Sequence, residues 1–265
     1  MAVLLERRVS TVAKWSRRMA LFSAILLLSS VLGHRFAVVD TISLFWLLGI
    51  VVALAILAII LAALGYIQLW EFGDRGGRNS TKGLIVALIV LIPFGGATYR
   101  LLTLPDLTDI STDLANPPTF HHAIGNRDAS MNRLGAFDRA NAAVQAAAYP
   151  EATGRRYALG LDIALEITTA VLDQLGWTSL GQARMGGFGG TVTLEVAAPS
   201  PWLGLVSDVA IRLVDEGDAI FVDVRAASRY GVHDFGGNSA AITRFYAAME
   251  AEIADRNALF QAPAE

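Results

Sequence analysis

The hydrophobic pattern divides the chain at about residue 104. Thr41 to Trp70 are thirty consecutive uncharged residues. As a helix rising about 1.5 Å per residue they exceed the roughly 30 Å of hydrocarbon that a membrane span must cross. Trp46 and Trp70 sit near the two ends, where amphipathic rings favour the membrane interfaces. Two shorter apolar runs flank this stretch, Met19 to Gly33 and Gly83 to Tyr99. Their bordering Arg17, Arg18, Lys82 and Arg100 can snorkel towards headgroups, which lets short runs cross. Pro93, Gly95 and Gly96 are expected to loosen the third helix without abolishing it. The pattern therefore predicts three spans, near 19–35, 42–70 and 83–101, in an anchor of residues 1–103.

Beyond the anchor the periodicity changes. Residues 104–126 are rich in Pro and Asp and read as an extended linker that holds the next domain away from the bilayer. Residues 127–265 read as a soluble domain. Arg139 to Ala148 suits a short helix ended by Tyr149 and Pro150, and Leu161, Ala164, Leu165, Val171, Leu172 and Leu175 mark a helix over 161–175. Four segments rich in β-formers follow, 177–183, 191–197, 208–214 and 219–225. Gly186, Gly187, Gly189, Gly190 and residues 216–218 mark the turns. Val209, Ile211 and Leu213 share one face, as do Ile220, Val222 and Val224; the opposite face carries Asp208, Arg212, Asp223 and Arg225. A sheet with one apolar face needs a cover, and helix 161–175 with a last helix from about Asn238 to Arg256 can supply it. The predicted fold is α+β: three transmembrane helices, then a four-stranded antiparallel sheet covered by two helices.

Charge sharpens the division. Residues 1–104 hold ten Lys and Arg against four Asp and Glu, and the remainder holds eleven against twenty. Arg7, Arg8, Lys14, Arg17 and Arg18 precede the first span, and Arg75, Arg78 and Lys82 follow the second. By the positive-inside rule the N-terminus is then cytoplasmic, and three spans put the domain across the membrane. A cleaved signal peptide is the rival reading of the first run, but no A-x-A-like site follows it before His34 and Arg35. Gly49, Ala53, Ala58 and Ala62 form a small-residue stripe that would allow close helix contacts. The acidic domain disfavours nucleic acid. The chain has no cysteine, so disulfides and thiolate chemistry are excluded.

The densest polar cluster runs from Asp223 to Asn238. Residues two apart in a strand share a side, so Asp223 and Arg225 are neighbours that can reach Arg212 or Asp208 on the adjacent strand. In the structural reading they form an ion-pair network, and Asp234 or Asn238 caps the last helix. In the functional reading Arg225 and Arg229 join that helix's N-terminal amides around a phosphate or carboxylate, with Asp223, Ser228, Asp234, Asn238 and Arg212 around them. Asp109, Asp113, His121 and His122 form no specific metal pattern, and no metal or other cofactor is expected. Ser228, His233 and Asp234 have the residue types of a triad without its geometry. There is no G-x-S-x-G elbow, P-loop, dinucleotide fingerprint or H-E-x-x-H motif.

Three separated segments carry a family resemblance: 104–113 with Asn116 to Phe120, Pro201 to Gly204 with Asp208 to Arg212, and 223–238. Together they resemble the bacterial domain of unknown function 1499 family over residues 104–256, in members with a short membrane region ahead of the domain. The chain departs from the family pattern at Ala227 and Ala241, and Ser207 precedes Asp208 where the pattern has two acids. The resemblance implies a fold and an architecture but neither a reaction nor a catalytic residue. The expectation is a non-catalytic interaction or assembly protein of the bacterial inner membrane, with a periplasmic domain and a membrane or envelope protein as partner. The alternative is a module that binds an anionic lipid headgroup or a small anion through Arg225 and Arg229.

Overall fold

The computed structural model describes residues 8–186 and 190–261, with side chains to Ala258. Arg7, Gly187 and Gly189, used above, lie outside the described residues. The chain forms two units, Met1–Tyr99 with Trp202–Gly204, and Arg100–Pro201 with Leu205–Glu265.

The first unit is helical. Helices α1 (Thr11–Arg35), α2 (Thr41–Phe72) and α3 (Gly77–Thr103) are each long and apolar enough to cross a membrane. α1 and α3 start before their apolar runs and α2 at the first residue of its own; Ser10 and Asp40 cap α1 and α2 through the Ala13 and Ser43 amides, and α3 continues through Pro93. The buried face of α1 is small and hydroxylated: Ala13, Ser16, Ala20, Ser23 and Ser30. It meets Val51, Ala55, Ala58, Ala62 and Gly65 of α2, and Ser16 and Ser23 donate hydroxyl hydrogen bonds to the Ala58 and Val51 carbonyls at 2.8 and 2.9 Å. The predicted stripe is thus half corrected: Ala58 and Ala62 are at the contact, while Gly49 and Ala53 face outward. The contact face follows the mixed three- and four-residue spacing of Val51, Ala55, Ala58, Ala62 and Gly65, whereas the five-residue step from Ala53 to Ala58 in the predicted stripe passes from one face to another. Trp46 and Trp70 are 75% and 92% exposed.

The second unit is α+β, but its antiparallel sheet has seven strands where four were expected. They are β1 (Asp109–Ser111), β2 (Arg155–Tyr157), β3 (Thr178–Ser179), β4 (Arg184–Met185), β5 (Thr191–Pro199), β6 (Val206–Asp215) and β7 (Ile220–Ser228). The order is β1-β7-β6-β5-β3; β2 shares the outer edge of β7, and β4 that of β5. The predicted strand at 177–183 is broken, because Ser179 bonds the Gly181 carbonyl and turns the chain between β3 and β4. β1 lies inside the stretch expected as linker and pairs with 225–227 of β7.

On one face Val192, Val196, Val209, Ile211, Leu213, Ile220, Val222 and Val224 pack against α6 (Leu161–Gln174) and α7 (Gly237–Gln261), including Ile167, Val171, Phe245 and Met249. The opposite face is covered too. Residues 112–137, with the short helix α4 (His122–Gly125), lie over it, and Phe120, Ala123 and Leu134 pack on Ala210 and Ala227. Burying that face places its charged side chains inside the domain. A further short helix, α5 (Ala142–Ala148), follows a 3₁₀ turn at Arg139–Asn141.

Candidate functional site

The register of β5, β6, β7 and β1 lines up the polar side chains in rows. Arg212 is opposite Asp223, and Asp208 is opposite Ala227, whose other neighbour is Asp109. Across these rows four arginines meet four aspartates. Arg212 Nη2 lies 2.8 Å from Asp223 Oδ2 and 3.3 Å from Asp113 Oδ2. Arg225 grips Asp109 with two bonds, Nε to Oδ1 at 3.0 Å and Nη2 to Oδ2 at 2.6 Å. Asp208 takes two arginines: Arg127 Nε on Oδ2 at 2.6 Å, and Arg229 on Oδ1 at 2.9 and 2.6 Å. Asp208, Asp223 and Arg225 are all buried.

These pairs also hold the cover in place. Arg225 donates to the carbonyls of Pro118 and Gly135, Arg212 to that of Asn116, and Arg127 to those of Asn132, Ala227 and Ser228. The Arg225 guanidinium lies 4.9 and 5.6 Å from the Phe120 and Phe137 ring centres, a cation–π arrangement on both rings. Glu195, buried on β5, accepts the His121 and Ala123 amides at 2.8 Å each. Burial pulls the Arg127 pKa down, opposed by the Asp208 charge. Burial likewise raises Asp223 to about 6, with Arg212 pulling the other way, and Asp223 Oδ1 has no hydrogen-bond partner.

The predicted site residues therefore fall into separate arrangements. Arg212 and Asp223 are brought together, as cross-strand logic predicts. Arg225 and Arg229 hold different carboxylates, Asp109 and Asp208. The start of α7 is closed by Asp234, whose carboxylate accepts the Gly236 and Asn238 amides and whose pKa is raised, first of all by burial. Asn238 Nδ2 donates to the Thr108 carbonyl and to Ser228 Oγ. His233 Nε2 donates to the Leu104 carbonyl while its Nδ1 accepts the Phe235 amide, so its ring is turned to the backbone, not to Ser228. Of the residues weighed as metal ligands, Asp109 and Asp113 face arginines and His121 bonds Thr119. Among the described residues no group of three potential ligands gathers.

Arg127, Glu195 and Phe137 complete this region and went unread in the sequence, while Phe120 was seen there only as part of the family motif. Of the three, Glu195 left a signal, as an acid within a β-rich run.

A family model described as a protein of unknown function (DUF1499) matches residues 109–249, more than half of the chain. No curated protein and no solved structure matches it.

Proposed function

The chain belongs to the DUF1499 family, and from that premise we propose that it is a membrane-anchored, non-catalytic interaction protein whose folded domain presents a preformed loop to a membrane or envelope protein. The observation that carries this reading is the loop of residues 229–236. Its Val232 is 81% exposed although the backbone around it is fixed on several sides. Asn132 Nδ2 donates to the Gly231 carbonyl at 2.7 Å, His233 ties Phe235 to Leu104, and Asp234 holds Gly236. Phe235 adopts φ +52, a conformation that costs a bulky side chain strain and persists only where its surroundings over-determine it. A rigid loop that offers an apolar tip loses little entropy on docking. The ion pairs of the neighbouring cluster are spent on the domain's own cover, which supports a structural role for them over headgroup binding.

In this reading the N-terminus is cytoplasmic and the domain faces the periplasm of a bacterial inner membrane, supported by the basic residues that precede the apolar run of α1 and follow α2, against Arg35 alone between the two apolar runs. The test uses the absence of cysteine: a Val232→Cys protein carries one thiol, to which a photo-crosslinker is attached in intact cells. The expected result is an adduct with one membrane or envelope protein, absent when the thiol is placed at Met185, which is 76% exposed. Equal labelling from both positions, or adducts with lipid alone, would overturn it.

A further inference from the structure

A second feature of the domain lies beside the ion pairs. Residues 116–139 enclose an open cleft of about 510 Å³, with Arg225 among its lining side chains. Phe120 and Phe137 form apolar walls on either side of the Arg225 guanidinium. His121 and Arg139 line the same cleft, and no Asp or Glu among the described residues does. The Asp109 carboxylate that pairs Arg225 approaches from outside this lining.

A donor count shows what is left for a ligand. A guanidinium has five N–H groups. In Arg225 the Nε, both Nη2 hydrogens and one on Nη1 go to Asp109, Gly135 and Pro118, which leaves one on Nη1 of a side chain only 2% exposed. Arg139 is exposed, with one bond to the Ala115 carbonyl at 3.3 Å and no carboxylate partner among the described residues. Glu195 fixes the His121 backbone, so this wall is held by a buried side chain. The cleft thus combines unspent cationic donors with apolar surface on Phe137 and Ile124.

We propose that this cleft binds a phosphomonoester with a small apolar body. Such a head carries close to two negative charges at neutral pH and accepts from several donors at once, which suits Arg139, the free Nη1 hydrogen of Arg225 and the His121 ring. The body packs on the half-buried Phe137 and on Ile124, which is exposed in the same lining. This site is distinct from a pairing of Arg225 with Arg229, which lies outside the cleft lining and holds Asp208.

The experiment is calorimetric titration of the full-length protein in nonionic detergent with phenyl phosphate. One-to-one saturable binding is expected, with inorganic phosphate and phenol each at least about tenfold weaker, because each supplies only half of the contact. Arg139→Ala should weaken binding by at least about tenfold, Arg139→Lys should restore part of it, and neither should move the thermal midpoint, since the side chain is exposed. Repeating the titration in nanodiscs separates two sources of this chemistry. Loss of phenyl phosphate binding when phosphatidic acid is included in phosphatidylcholine identifies a lipid headgroup; unchanged binding identifies a soluble phosphomonoester. No saturable binding in either setting, or equal affinity in Arg139→Ala, overturns the proposal.

Discussion

Arg212 and Asp223 face each other across β6 and β7 with Nη2 2.8 Å from Oδ2, while the other oxygen of Asp223 is buried with no partner. Burial outweighs the pairing, so the folded-state pKa of Asp223, about 6, stands above its ordinary value of 3.8. A carboxylate raised in this way binds its proton more tightly in the folded state. Its contribution to stability is therefore fully present below the ordinary value and is lost as pH rises through about 6; the difference is about 3 kcal/mol. Relative to Asp223→Asn, the natural protein should gain stability as pH falls from about 7 to about 4. Denaturant melts of both proteins across that range check it, and parallel pH profiles would contradict the assignment.

Arg225 is the second place where charge and cover meet. Replacing it by Ala leaves Asp109 without its partner, strips the Pro118 and Gly135 carbonyls of their donor, and opens a hole between Phe120 and Phe137. Breaking a buried pair from one side costs about 3–5 kcal/mol. Arg225→Ala should lower the thermal midpoint sharply, whereas Arg229→Ala costs less, because Arg127 still holds Asp208. Differential scanning fluorimetry on the full-length variants separates the two, and equal midpoints would count against a structural role for Arg225.

How much of this was legible in the sequence follows from what each element needs. Strands β5 to β7 have nine or ten residues of alternation and were readable. β1, β2 and β4 have two or three residues, mostly polar, and exist because β7 and β5 offer them free edges. Periodicity has no signal at that length. The second sheet face was read as a polar surface because hydropathy scores Asp208 and Asp223 as solvent-facing. Their burial depends on Arg127 and on the irregular segment that carries it, where no period marks the contact. The cap at Asp234 was legible because it is local; the grip of Arg225 on Asp109 spans the whole domain in sequence and was not.

The anchor makes a prediction of its own. A Cβ on Gly83 would meet Ser16 Oγ and come within 2.9 Å of the Arg17 amide nitrogen, and one on Gly65 would meet Ser80 Oγ and lie 3.2 Å from the Ala13 Cβ. Both glycines therefore set the approach of α1 to its neighbours, whereas a Cβ on Gly49 meets nothing within 4 Å. Gly83→Val and Gly65→Val should loosen the three-helix packing, and Gly49→Ala should leave it unchanged. The check is thiol reactivity in detergent of a single cysteine placed at Ala20, a buried position of α1. Fast labelling is expected in the two Val variants only.

Glu195 gives the sharpest test of how the cover is attached. It is 2% exposed on the central part of β5, and its two carboxylate oxygens accept the amides of His121 and Ala123 at 2.8 Å. Through these bonds a single side chain fixes the start of α4 and the wall of the cleft at Phe120. Glu195→Ala leaves both amides without an acceptor, at about 1–3 kcal/mol for each group that stays buried. Because the core between the other sheet face and α6 and α7 does not involve Glu195, the loss should be local: the cover opens before the domain unfolds. Hydrogen exchange on the full-length protein should show faster exchange at 112–137 with protection retained in β6, β7 and α7. Glu195→Gln, which keeps one carbonyl acceptor, should fall between the two. Uniform loss of protection across both faces would mean that the cover and the core unfold as one unit.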